Sequence, residues 1–344
     1  MTYFNQYLTE LRKNFKDKYC LISGCNNMKV IRAHTVQKKG GLSSIAKDGE
    51  VYTFNELGKS FIEILRTYNY LEYGYSDDGY AHYWPEPNRI GINKASTITA
   101  FCSQHDREIF APIELERIVP TDNQVRLFAL RCLSYELCRK HGAAKDKTKN
   151  FMKSLTEDDK KKRIIDIHDQ GTKIGEEVSE ATFYELLNYE KNNPSGKLSY
   201  IIFTMDKAPE IVCSFARFIN LDLEPNKTEL IINRNLQWIT CSCFSKDGTG
   251  YILFSWDSNH NKPKEFIHMI LENQDVGNTI ANLFFYCAEN VYFSPSWWES
   301  LSISKRIAIE KESIQIMPDL KTILLNSPRK IVNWELSYSS NCGL

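Results

Sequence analysis

The chain has 344 residues, with 43 Lys or Arg and 43 Asp or Glu, so its formal net charge is zero. This length allows a full hydrophobic core and is typical of two domains. Zero net charge excludes a strong overall field that would attract nucleic acid, so such contact requires a local basic patch. No apolar run approaches the ~18 residues of a membrane span, and we expect no membrane partner.

The N-terminal segment predicts an amphipathic helix over residues 1–18, with Phe4, Tyr7, Leu8 and Leu11 on one face. It lacks the continuous apolar stretch of a secretory signal. We therefore expect a cytoplasmic protein whose ten cysteines stay reduced and available to metals.

Two short pairs of side chains have the spacing of metal ligands. Cys20 and Cys25 are spaced Cys-x4-Cys, and Cys102 and His105 are spaced Cys-x2-His. Zinc accepts thiolate and imidazole ligands and forms closed structural sites with four of them. The sequence therefore predicts one structural Zn²⁺ on these four residues. The alternative is a set of buried free thiols and a surface histidine, because the cysteines are scattered along the chain.

The order of the elements around these pairs indicates a treble-clef zinc finger with an insertion. A cysteine pair comes first, then a β-rich run at 30–41 that contains His34 and ends in the predicted turn KKGG, then a ligand pair that opens a helix. We predict a domain at 1–120 with an inserted segment at 41–92, and an α+β domain of unknown role at 121–344.

The inserted segment combines a predicted helix at 54–67 with a tyrosine-rich loop at 68–84. Aromatic side chains can stack on bases. The acidic residues among them would repel a nucleic-acid backbone, so a loop that packs on the protein is the favoured interpretation.

Beyond Pro120 the sequence predicts an α+β fold with a mainly antiparallel sheet. A helix at 125–142 that ends at Gly142 is followed by helical sequence to about residue 191. The predicted strands are LSYIIFTM, EIVCSFARF, ELIINRN, QWITCSCF and GYILFSWD, and Asp-Gly between the last two predicts a hairpin. Helices are predicted again at 263–274, 276–290 and 303–313.

The pattern Cys-x4-Cys, Ala-His and Cys-x2-His-Asp resembles the HNH group of ββα-metal (His-Me finger) endonucleases in their zinc-stabilised form. The resemblance covers residues 19–112 with the insertion discounted. It implies a metal-dependent endonuclease in which His34 is the general base and Asp106 helps to hold a catalytic Mg²⁺ or Mn²⁺. It also suggests a role in bacterial defence or in mobile elements.

Three positions depart from the family pattern. Ala33 stands where the family commonly has Asp, and Ser96 and Thr97 stand where it has Asn. A hydroxyl orients an imidazole less firmly than an amide does. The alternative function is therefore a catalytically silent zinc module that binds nucleic acid or, through residues 121–344, a protein partner.

Two sets of basic residues are candidate contacts to the phosphates of DNA or RNA. Lys38 and Lys39 follow the strand of His34. The second set belongs to segment 139–163, which has ten Lys or Arg against four Asp or Glu, and consists of Lys160, Lys161, Lys162 and Arg163. Such a run gives salt-dependent affinity without sequence preference, although a solvated helix face is the alternative.

Overall fold

The computed structural model describes residues 19–26, 29–54, 86–145, 159–189, 198–223, 227–232, 234–313 and 319–344, with residues 150, 153, 154 and 157. The helix predicted at 1–18 and the aromatic loop predicted at 68–84 lie outside these ranges, as does almost all of the helix predicted at 54–67. In the described part, no helix is long and apolar enough to cross a membrane.

The described strands form one small and one large antiparallel sheet. They are β1 Val30–His34, β2 Glu50–Thr53, β3 Asn88–Gly91, β4 Thr97–Cys102, β5 Leu198–Met205, β6 Ile211–Phe218, β7 Trp238–Lys246, β8 Thr249–Asp257, β9 Val291–Phe293 and β10 Ser337–Ser340. The small sheet pairs β1 with β4, and the large one has the order β10-β5-β8-β7-β6-β9-β2-β3.

The described chain contains both helices and strands, so the fold is mixed, as predicted. They are α1 Ser103–Glu114, α2 Asp122–Ala143, α3 Asp159–Leu187, α4 Asn220–Leu223, α5 Lys227–Ile232, α6 Asn261–Leu271, α7 Val276–Cys287, α8 Pro295–Ser300, α9 Ile303–Ser313 and α10 Leu320–Leu325. Short helical turns at Lys38–Leu42 and Ser43–Ile45 follow β1.

Both faces of the large sheet are buried. On β5, Ile201 and Phe203 pack in a cluster with α6 to α10, whereas Ile202 packs in a second cluster with α2 and α3. Side chains alternate between the faces of a strand, so neighbouring residues enter different clusters. The sheet is consequently the middle layer between two helical layers, and its central strands are apolar on both faces.

The Asp-Gly hairpin between β7 and β8 is confirmed. Lys246 pairs with Thr249 at the end of the ladder, and both Asp247 and Gly248 have positive φ, at 52° and 86°. These angles suit a two-residue turn whose twist matches that of the strands.

Two predicted local structures are wrong. The run ELIINRN contains helix α5 rather than a strand. After the last turn of this helix, the Arg234 N–H donates to the Ile231 carbonyl and the Asn235 N–H donates to the Leu230 carbonyl. Short apolar runs are ambiguous between the two states. The segment KKGG forms a helical turn, in which a Cβ on Gly40 would lie 2.0 Å from the Ser245 carbonyl oxygen of β7.

A buried polar network joins the β1–β4 sheet to the large sheet. The Thr35 and Ser96 hydroxyl oxygens are 2.7 Å apart, and the Asn290 amide donates to the Thr35 hydroxyl at 2.8 Å. The backbone N–H of Ser96 donates to the Tyr292 hydroxyl at 2.6 Å. Ser96 has φ of 54°, a conformation that is costly for a residue with a side chain. These hydrogen bonds stabilise that conformation.

One hydrophobic cluster contains residues from both sides of the predicted domain boundary near Pro120. Phe101 of β4 packs 5.3 Å from Phe110 of α1 and 6.5 Å from Phe183 of α3, measured between ring centroids. Strand β2, from the predicted insertion, pairs with β9 of the large sheet. The two domains stay a prediction, and the packing indicates that each part stabilises the other.

We expect Phe101→Ala to lower the free energy of unfolding by about 3–5 kcal/mol, the usual cost of removing a fully buried Phe. Five of the six tryptophans lie after Pro120, so their fluorescence reports on the large sheet. If the clusters unfold together, the transitions followed by tryptophan fluorescence and by far-ultraviolet circular dichroism should both move to lower denaturant concentration.

Leu325→Ala is the control, because this side chain is 76 % exposed and its removal should change stability by less than about 0.5 kcal/mol. A tryptophan transition that stays in place in Phe101→Ala would instead support independent domains divided near Pro120.

Candidate metal centre

The four predicted ligands lie together. The Nδ1 atom of His105 is 3.4 Å from the Cys20 Sγ atom and 3.3 Å from the Cys102 Sγ atom, and the Sγ atoms of Cys25 and Cys102 are 3.9 Å apart. All four ligand atoms lie within 4.8 Å of one another. They form a group that could hold a metal ion.

These separations fit a tetrahedral site. Bonds of ~2.3 Å to sulfur and ~2.0 Å to nitrogen give tetrahedron edges of roughly 3.5–3.8 Å. Cys102 is fully buried, and the other three ligands are half-buried. Three sulfurs and one nitrogen would fill all four positions around a tetrahedral ion.

The loop of Cys20 and Cys25 is held in place by two hydrogen bonds to the backbone of Leu21. The Leu21 N–H donates to the Ala100 carbonyl of β4 at 2.8 Å, and the Tyr184 hydroxyl of α3 donates to the Leu21 carbonyl at 3.1 Å. Gly24 has φ of 74°, which glycine adopts without strain. The loop is thereby fixed to both β4 and α3.

The second ligand pair lies at the start of a helix. Cys102 is the N-cap of α1, and its sulfur accepts the backbone N–H of His105. This hydrogen bond lowers the pKa of the Cys102 thiol, whereas burial raises the pKa of Cys20. Helix N-termini favour thiolates, which is the form that binds a metal.

Three further cysteines lie in the hydrophobic core, apart from this group. Burial raises the pKa of Cys132, Cys241 and Cys243, which lie in the core of α2 and β7. In the described ranges, no other set of three His, Cys, Asp or Glu side chains meets the distances of a metal group.

His34 ends β1, where it pairs with Thr97 of β4. Its Nε2 atom is 2.9 Å from the Ile92 carbonyl oxygen. A carbonyl only accepts, so Nε2 carries the proton and Nδ1 of the neutral ring keeps its lone pair. Burial lowers the pKa of His34, and the positive charges of Lys38 and Arg131 act in the same direction. The neutral imidazole is therefore favoured.

Asp106 lies in the first turn of α1 and is half-buried. Burial raises its pKa, and the positive charge of Arg131 opposes that shift. Asp106 and His34 thus share a charged neighbour.

Arg131 of α2 and Glu114 of α1 were missed by the sequence analysis. Arg131 is 3 % exposed; its Nη2 donates to Glu114 at 2.7 Å, and its guanidinium carbon lies 4.3 Å from the Phe110 ring centroid. Its Nη1 has no hydrogen-bond partner in the described part of the chain. The only signal for Arg131 in the sequence was its position between apolar residues in VRLFALRCLSYELC, which also contains Arg126 and Glu136.

The predicted phosphate contacts occupy two places. Lys38 and Lys39 are exposed in the helical turn after β1. Lys160, Lys161, Lys162 and Arg163 lie in the first turns of α3, where Arg163 is exposed and Lys162 is 3.6 Å from Glu157.

Comparison with models of protein families, with curated proteins and with solved structures finds no match to this chain. The function must therefore be argued from the chemistry of its own residues.

Proposed function

We propose that this chain is a zinc-stabilised nucleic-acid-binding protein, in which Cys20, Cys25, Cys102 and His105 hold a structural Zn²⁺ in a treble-clef arrangement. The observation that carries the proposal is the meeting of these four ligand atoms within 4.8 Å. Three sulfurs and one imidazole are a donor set typical of structural zinc. The zinc would cross-link the loop at 20–25 to the start of α1.

We expect about one Zn²⁺ per chain, and we expect Cys102→Ser to release it, because serine does not replace a thiolate ligand. Structural zinc contributes ~10 kcal/mol or more in isolated finger peptides, so this variant should also unfold at lower temperature. Elemental analysis of protein purified without chelator measures the zinc, and thermal melting measures the stability.

Cys342→Ser is the matched control, because Cys342 lies near the C-terminus, outside the metal group. It should keep the zinc and the wild-type melting temperature. Absence of zinc from the wild-type protein would contradict the proposal.

Nucleic-acid binding is supported by the exposure of Lys38 and Lys39 beside the zinc-binding segment. Basic residues of α3 would add contacts to phosphates. The affinity would be mainly electrostatic, because each neutralised phosphate releases counterions. A protein partner that binds residues 121–344 is a further prediction of the sequence.

Replacing Lys160, Lys161, Lys162 and Arg163 together with Gln should weaken binding to duplex DNA or RNA. It should also flatten the dependence of log K on log salt by up to about 0.9 per lost phosphate contact on B-DNA. Fluorescence anisotropy at several salt concentrations measures both quantities.

A matched control replaces Lys207, Lys262, Lys264 and Lys321 with Gln, which removes the same charge from positions outside the two basic sets. If both variants weaken binding equally, the affinity depends on net charge alone. If the α3 variant binds as the wild type does, its four basic residues form a solvated helix face that does not contact phosphates.

Endonuclease activity is a second candidate, favoured by the state of His34. A neutral imidazole with a free Nδ1 is able to accept the proton of an attacking water. The residues around Asp106 fit a catalytic Mg²⁺ or Mn²⁺ poorly, because the buried positive charge of Arg131 acts on this carboxylate and would oppose a second cation nearby. Binding without cleavage is for this reason the first proposal.

If the protein does cleave, His34→Ala should abolish nicking of DNA or RNA while zinc content and folding remain. Because the pKa of His34 is lowered from 6.5, the neutral base persists as the pH falls to 6.5, and the rate should decline only below that value. His268→Ala, on the exposed face of α6, is the control. Cleavage that survives His34→Ala would reject this role.

A further inference from the structure

The three sulfurs of the metal group differ in their exposure to solvent. Cys102 is fully buried, whereas Cys20 and Cys25 are partly exposed. The Cys25 Sγ atom lies 3.9 Å from the Cys102 Sγ atom. A small oxidant in the solvent can therefore reach one sulfur of this close pair, while the other sulfur lies sheltered beside it.

Cys25 lies at the less constrained end of its loop. The backbone of Leu21, next to Cys20, is held by hydrogen bonds to β4 and α3. The Cys25 N–H donates to the Ile22 carbonyl at 3.1 Å, which is a bond within the same loop. A Cβ on Gly24 would meet no other atom of the described chain within 4 Å, apart from those of its two chain neighbours. The loop around Cys25 therefore faces open space and has room to shift.

Cys102 is held more firmly than Cys25. It is the N-cap of α1, and its sulfur accepts the backbone N–H of His105 at 3.5 Å. It also ends β4, where it pairs with Val30 of β1. The sulfurs of a disulfide are only about 2 Å apart, so the two sulfurs must approach by about 2 Å, and the loop of Cys25 is the side that can move.

We propose that Cys25 and Cys102 are an oxidation-sensitive pair, which hydrogen peroxide converts into a disulfide with release of the metal ion. This inference rests on the proposed zinc site, because the thiolate is both the metal ligand and the form that reacts with peroxide. The disulfide removes two of the four ligands, so the ion leaves. The loop at 20–25 stays attached to α1 through the new S–S bond.

The oxidation proceeds in two steps. The Cys25 thiolate attacks one peroxide oxygen, so that an S–O bond forms, the O–O bond breaks, and the departing hydroxide takes a proton to become water. The Cys102 thiolate then attacks the Cys25 sulfur, so that the S–S bond forms, the S–O bond breaks, and a second hydroxide leaves as water. Two electrons pass from the two thiolates to one peroxide, and the solvent supplies two protons.

Titration of the zinc-loaded wild-type protein with hydrogen peroxide tests the pair. We expect release of the bound zinc, a loss of about 2 Da per chain, and recovery of the reduced mass with dithiothreitol. Peptide mapping without reduction should join the peptides of Cys25 and Cys102. Zinc that stays bound in excess peroxide, or a disulfide between other cysteines, would overturn the inference. Zinc is measured before the titration, and its absence at that stage would contradict the proposed function instead.

Two variants locate the reaction. Cys25→Ser lacks the sulfur that peroxide reaches, so its yield of disulfide should fall about tenfold or more. The readout is the mass of the chain, which does not require bound zinc. Cys342→Ser, a partly exposed thiol outside the metal group, should react as the wild type does. Circular dichroism verifies folding, and a wild-type yield of disulfide in folded Cys25→Ser would overturn the assignment.

Thermal melting tests whether the disulfide takes over the cross-link between the loop and α1. The oxidised protein should melt at a higher temperature than reduced protein whose zinc a chelator has removed, because a disulfide that closes a long loop restricts the unfolded chain. Equal melting temperatures of the two forms would contradict this replacement.

Discussion

The antiparallel pairing of β1 with β4 is the interaction on which the rest of the N-terminal structure depends. It sets Val30 opposite Cys102 and His34 opposite Thr97. Through this register, Cys25 and Cys102, 77 residues apart, come within 3.9 Å of each other. The same pairing presents Phe101 to α3. One short ladder thus determines the metal group, the position of His34 and a contact to the helical layer.

Polar side chains join this ladder to the large sheet at a buried point. Ser96 of this network is bonded to Thr35 and Tyr292 rather than to His34. His34 is instead oriented by the backbone carbonyl of Ile92. A backbone acceptor fixes the ring without any particular side chain.

The charges around Cys102 and Asp106 favour a structural zinc over a second, catalytic metal. A structural zinc requires thiolates, which a helix N-terminus and a backbone N–H stabilise at Cys102. A catalytic cation near Asp106 would meet the buried guanidinium of Arg131, which already holds Glu114. The charge of Arg131, which acts with burial to lower the pKa of His34, also opposes a second metal. A proton acceptor and a phosphate-binding surface are compatible with this arrangement, whereas a two-cation centre is not favoured by it.

The sequence by itself determined those features that depend on neighbouring residues. Cys-x4-Cys and Cys-x2-His placed the four candidate ligands in two local pairs, and Asp-Gly placed the β7–β8 turn. Runs of apolar residues placed β1, β5, β6, β7 and β8, which are half of the ten described strands. Each of these patterns acts over a few residues. The run ELIINRN failed because three consecutive apolar residues suit a helix or a strand equally. Only the tertiary structure decided the strand order, the burial of Arg131 and the approach of Cys25 to Cys102. Those depend on contacts between residues far apart in the chain, whose free energy is absent from any local pattern.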